Sequence, residues 1–331
     1  MEGPALFAGS NNEVGLAAVV RNAALQDYVL LAYFCTFLVA LVLGSGPNRV
    51  PQIQIILSDI VVFVIGIVLT RGGFLAFGTM AHSVVYRLTI FGTFFLSYFQ
   101  LQGILPAVSS RSFDAEIFAI DQSIFGFEPA LAWDRFVNPA TTEWFAFFYF
   151  GYFFMLIAHI IPFLVAGRDK RLTARFALGV YMVFCIAHVL YMVVPGYGPY
   201  RYLANQFENP LDGGLFWNLV TQAVSSSGAQ KDIFPSLHTG VPTYFVLFSI
   251  RHRHLAPFKY TWYFAAFFAS QIIIATMFLR WHYLIDICAG ITLAAGCVVL
   301  STYLEEWESA RRGKLGVPPV FDEPPLFRKA S

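Results

Sequence analysis

An all-α integral membrane protein of about eight transmembrane helices is predicted by three features of this 331-residue sequence. It is 57% hydrophobic, only 12% charged, and its apolar runs recur at bilayer-spanning length. An ordinary soluble domain carries roughly a quarter charged residues, so a surface built from half that share would not stay in water. Mean hydropathy is +0.63, and lipid is the solvent this composition suits. The 21 basic and 20 acidic residues nearly cancel, which sets aside the basic excess that nucleic-acid partners require. Cys35, Cys185, Cys288 and Cys297 each lie in an apolar run, and none is spaced as a metal or redox pair, so they are expected to be inert.

A helix needs about 20 mostly apolar residues to cross the hydrocarbon core. Reading between charges, prolines and glycines gives spans near 28–44, 53–70, 84–105, 142–166, 173–195, 236–251, 258–279 and 283–304, of which the first and sixth are short. No basic region closely precedes the first and no small-residue cleavage site follows it, so it is taken as an uncleaved span rather than a signal peptide. Basic residues accumulate in cytoplasmic loops. With the N-terminus inside, fifteen of the 21 fall on the inner side, while Arg49, Arg111, Arg135, Arg201, Lys231 and Arg280 fall outside.

The two long connections, 106–141 and 196–235, lie on the outer side, where function is expected to gather. In the first, Ile117, Phe118, Ile120, Ile124 and Phe125 interleave with Asp114, Glu116, Asp121 and Gln122 up to Gly126. That pattern suits a helix in the membrane interface or one packed over the bundle. After Glu305 the sequence turns basic and proline-rich. Three units are expected: 1–83 with two transmembrane helices, 84–304 with six, including the amphipathic segment 106–141, and a disordered cytosolic tail 305–331.

Ionisable side chains at membrane depth need a reason, and three clusters stand out at outer helix ends. In Arg280-Trp281-His282-Tyr283-Leu284-Ile285-Asp286, the histidine and the aspartate are four residues apart and share a helix face. The carboxylate can then fix one imidazole nitrogen and free the other as nucleophile or base, or the pair merely satisfies itself beside a helix dipole. In Pro235-Ser236-Leu237-His238, Ser236 is placed to cap a helix whose free N–H groups can bind an anion, with His238 facing it. Capping beside an interfacial histidine is the plainer alternative. In Pro195-Gly196-Tyr197-Gly198-Pro199-Tyr200-Arg201, a sharp turn sets Arg201 at the membrane surface, where it can clamp phosphate or simply meet a lipid headgroup. Arg280 is a second candidate clamp. His159, His188 and Asp59 lie inside spans and are expected to be structural.

Pro235-Ser236-Leu237-His238-Thr239-Gly240 and Arg280-Trp281-His282-Tyr283-Leu284-Ile285-Asp286 resemble the second and third signature motifs of the type 2 phosphatidic acid phosphatase (PAP2) superfamily, in the variant similar to its inositol phosphorylceramide synthase-like branch. The resemblance covers about residues 84–304. It implies a six-helix catalytic bundle in which His282 attacks phosphorus, Asp286 supports it, His238 protonates the leaving oxygen and arginines hold the phosphoryl oxygens. Two departures accompany it. Thr276 stands where the broader superfamily has an arginine six residues before the nucleophile, and Gly198-Pro199-Tyr200-Arg201 replaces the usual first motif.

The expectation is a lipid phosphotransferase working through a phosphohistidine, on a phospholipid or sphingolipid, with its site on the extracytoplasmic side. Ser236, Arg201 and Arg280 would bind phosphate, and Tyr197, Tyr200 and Trp281, together with Trp217, would wall the pocket against water. Neither a metal nor an organic cofactor is expected, since no carboxylate cluster of metal-site type lies near the motifs. The alternatives are a lipid phosphate phosphatase acting on phosphatidic acid or a polyprenyl phosphate, and a non-catalytic lipid transporter.

Overall fold

The computed structural model describes residues 14–227 and 231–322. Its helices, in chain order, are α1 (Leu16–Asn22), α2 (Leu25–Leu43), α3 (Arg49–Arg71), α4 (Met80–Arg87), α5 (Thr93–Val108), α6 (Asp114–Phe125) and α7 (Pro129–Ala132). There follow α8 (Pro139–Ala166), α9 (Lys170–Val193), α10 (Pro199–Tyr202), α11 (Leu215–Ser227), α12 (Leu237–Arg251), α13 (Phe258–Phe278) and α14 (Leu284–Leu315). A π-helical turn, Leu88–Gly92, joins α4 and α5 into one continuous rod.

Among the described residues, seven helices are long and apolar enough to cross a membrane: α2, α3, the α4–α5 rod, α8, α9, α13 and α14. The sixth expected span is the helix α12, which at 15 residues falls short of that length. The starts are written locally. Asn138 accepts from the N–H groups of Ala140 and Thr141 ahead of α8, and Asp169 does the same for Arg171 and Leu172 ahead of α9. α9 is the central post: 78% of its apolar window is buried, against 28–44% for the other six. Around it, α12 packs chiefly on α14 and α13, while α2 and α3 flank the bundle from one side.

The chain reverses at each connection. The end of α9 and the starts of α8, α12 and α14 therefore meet at one end of the bundle, and the lysines and arginines of the short connections collect at the other.

The expected disordered tail from 305 is corrected over its described part. α14 continues to Leu315, a left-handed Gly316 ends it, and Val317, Val320 and Phe321 are buried. Its charges are paired rather than solvated: Glu305 takes Arg171 and Arg175, Glu308 takes Arg311 and Arg312, and buried Asp322 takes His82 and Arg87. A composition shift toward charge is thus absorbed by partners far away in the chain. Residues 323–331 lie outside the described residues.

Candidate active site

Two helix starts create the site. α12 and α14 touch at their first turns, where the N–H of Ser236 donates to the Asp286 carbonyl at 3.1 Å. A Cβ at Gly290 would meet the Ser236 carbonyl oxygen at 2.6 Å, so only glycine permits this approach. The approach brings the His238 and His282 rings to 6.4 Å between centroids, a separation that one phosphoryl group can bridge.

His282 is held from both ends. Its N–H and that of Trp281 donate to the carbonyl of Thr276, the position where the broader superfamily carries arginine. Its Nδ1 lies 3.4 Å from Asp286 Oδ2, an ion-pair contact short of a formed hydrogen bond, so the carboxylate flanks Nδ1. Asp286 Oδ2 also accepts the Tyr283 N–H at 2.9 Å, and Oδ1 has no partner among the described residues. His238 stacks on Tyr149 at 4.3 Å with 13° between planes, and Tyr152 approaches it at the same distance. Both histidines face one cavity, walled by Tyr197, Tyr200 and Trp281 as expected and by several further tyrosines. Trp217 packs on the neighbouring apolar cluster that contains Val220 and Leu279 and is not among the residues that line the cavity.

Three expected phosphate ligands fare differently. Ser236 stands at the start of α12 but makes no capping bond; its hydroxyl is buried without a partner among the described residues. The correction leaves it free for a ligand. Arg201 is exposed at the rim, its guanidinium 3.7 Å above the Tyr197 ring. Arg280 does not line the cavity. Its backbone is left-handed, with φ of +66°, and its guanidinium meets Asp134 at 2.6 Å, the Asn209 carbonyl and the face of Phe207. The expected second clamp is therefore a strut between loops.

The connection 106–141 holds residues that the sequence reading used only as a polar face. α6 turns Asp114 and Asp121 inward and Glu116, Ile120 and Ile124 outward. Asp114 accepts the N–H groups of Tyr197 and Gly198 and the hydroxyl of Tyr283. Asp121 accepts those of Leu284 and Ile285, the first turn of α14. Glu128 caps α7 through Ala130 and abuts Asp121; burial is the largest cause raising the pKa of both acids, Glu128 to about 8. Helical spacing of the acids was the available signal, since a water-facing helix end and an inward cap share it. α11 was missed outright. Its Val220, Ala223 and Val224 cover the cavity, and Glu143 of α8 holds its start through the N–H groups of Gly214, Phe216 and Trp217.

His188 and His159 carry hydrogen bonds of the structural kind, to the Tyr33 hydroxyl and the Met155 carbonyl. Among the described residues, no group of three or more His, Cys, Asp or Glu side chains is placed to hold a metal ion.

Residues 115–300 match the family model described as PAP2 superfamily. No curated protein and no solved structure matches the chain.

Proposed function

Because this chain belongs to the PAP2 superfamily, whose members are phosphatases or phosphotransferases, we propose that it is a lipid phosphotransferase working through a phosphohistidine. The finer likeness is to the inositol phosphorylceramide synthase-like branch, and the cavity opens on the extracytoplasmic side. The observation that carries the reading is the pair of imidazoles 6.4 Å apart in one cavity, one of them backed by a buried carboxylate.

His282 Nε2 attacks phosphorus, the bond to the departing lipid oxygen breaks, and His238 gives that oxygen its proton. The head group stays on the phosphoryl group bound to His282. An acceptor hydroxyl then attacks, the N–P bond breaks, and the hydroxyl proton passes to His238. Asp286 steadies the imidazole and balances its charge as it is phosphorylated, closing in from its resting 3.4 Å. The N–H groups at the start of α12, the unpartnered Ser236 hydroxyl and Arg201 at the rim receive the phosphoryl oxygens. The tyrosine wall and the α11 lid exclude water, which favours transfer over hydrolysis.

The test is turnover of phosphorus-labelled phospholipid by the protein in nanodiscs, with and without an alcohol-bearing lipid. Wild type is expected to form an acid-labile phosphoenzyme and a new phospholipid. His282→Ala abolishes both, and His238→Ala slows the first step by about 10²–10⁴. Full turnover by His282→Ala sinks the mechanism, and the water-soluble phosphorylated head group as sole product in the presence of acceptor replaces transfer with hydrolysis.

A further inference from the structure

One charged side chain in the cavity has no task in the chemistry above. Asp232 sits in the connection between α11 and α12, where a bridge between Gly196 and Asp232 pins its backbone against the turn after α9. Its carboxylate lines the cavity with both histidines, and its charge reaches His282, Tyr149, Tyr191 and Tyr200. Among the described residues, only its own backbone amide hydrogen-bonds it.

An unpaired carboxylate beside a phosphate site is unfavourable twice over. It is half withdrawn from water, and it repels the incoming anion. The cavity's described lining holds no lysine or arginine, and its two imidazoles are committed to the phosphoryl group. The neighbouring Lys231 ammonium is spent on the carbonyls of Ser109 and Arg111. Arg280 is bound to Asp134, and Arg201 lies out at the rim over Tyr197. A positive charge on the ligand would supply the missing balance. The rings that share the cavity with Asp232, Tyr191 and Tyr200 among them within reach of its charge, are a surface that attracts a desolvated ammonium.

We propose that Asp232 and these rings form an ammonium subsite beside the phosphoryl site, so that the donor is a zwitterionic phospholipid with an amine-bearing head group. A polyol head group would leave the repulsion between Asp232 and the phosphate standing, whereas a zwitterion cancels it within itself. The subsite rests on reading this cavity as the phosphoryl-transfer site, and its test is a binding measurement that does not require turnover.

Full-length protein in nanodiscs is titrated calorimetrically with phosphoethanolamine, phosphocholine, glycerol 3-phosphate, inositol 1-phosphate and inorganic phosphate. At least one amine-bearing probe is expected to bind about tenfold or more tightly than glycerol 3-phosphate, a difference of about 1.4 kcal/mol. Asp232→Asn erases that margin, while inorganic phosphate binds as well as before or better. Ethanolamine over choline points to a direct bond with the carboxylate; choline over ethanolamine points to the rings as the main attraction. Equal affinity for amine and polyol probes overturns the subsite, as does a preference unchanged in Asp232→Asn. Should that variant fail to fold, the wild-type series decides alone. Amine preference without any turnover would refute the transfer chemistry and keep the subsite.

Discussion

Arg201 and Arg280 look interchangeable as letters near a membrane surface, and the fold gives them opposite surroundings. Arg280 is buried, and its partner Asp134 also receives the N–H groups of Glu208 and Asn209, so the pair ties three connections together. Removing one partner of a buried ion pair strands the other, at a cost of about 3–5 kcal/mol. Arg280→Ala is therefore expected to lower the thermal melting point sharply. Arg201→Ala should leave melting unchanged and reduce kcat/KM about ten- to hundredfold, the scale of one or two charge-assisted hydrogen bonds. Equal losses of stability in the two variants would refute the distinction. His238, His282 and Asp286 were legible because spacing on a helix start is a local property. The turn-around of Arg280 was not, because a left-handed residue in a non-glycine position leaves no mark in the sequence.

Helix by helix, the spans were readable and the caps between them were not. Apolar runs mark where a segment lies in lipid, yet the bonds that set α14 in place come from Asp121, more than 160 residues upstream. α11 escaped notice because glycines, prolines and polar residues surround a short amphipathic stretch inside a loop-like region. The acids under α14 carry a pH signature. Burial raises Glu128 from its ordinary 4.5 to about 8, so the folded protein keeps a proton that the unfolded chain releases. Its contribution is fully present below pH 4.5 and is lost as the pH rises through about 8. The melting point should decline over that window, and Glu128→Gln should flatten the slope. A wild-type melting point that climbs from pH 5 to 8, with Glu128→Gln following the same curve, would contradict this placement.

For the whole molecule, every candidate side chain gathers at the bundle end opposite the basic connections, a separation that composition and span counting anticipated. The proposed orientation, with that end outside, rests on the basic bias. Thiol labelling of a cysteine introduced at position 201 should succeed from outside intact cells, and at position 170 only after lysis; the reverse pattern would invert the orientation. The tail was misread because its partners, Arg171, His82 and Arg87, sit on helices far away in sequence. α12 has a further consequence of its own. Fifteen residues rise about 22 Å, against a hydrocarbon layer of about 30 Å. Arg251 and Arg253 moor its far end in water, so the shortfall of several ångströms opens entirely above His238. On the proposed chemistry, the reacting phosphorus would lie in a dimple of the leaflet, reached sideways by molecules already dissolved in the bilayer rather than from the aqueous phase above.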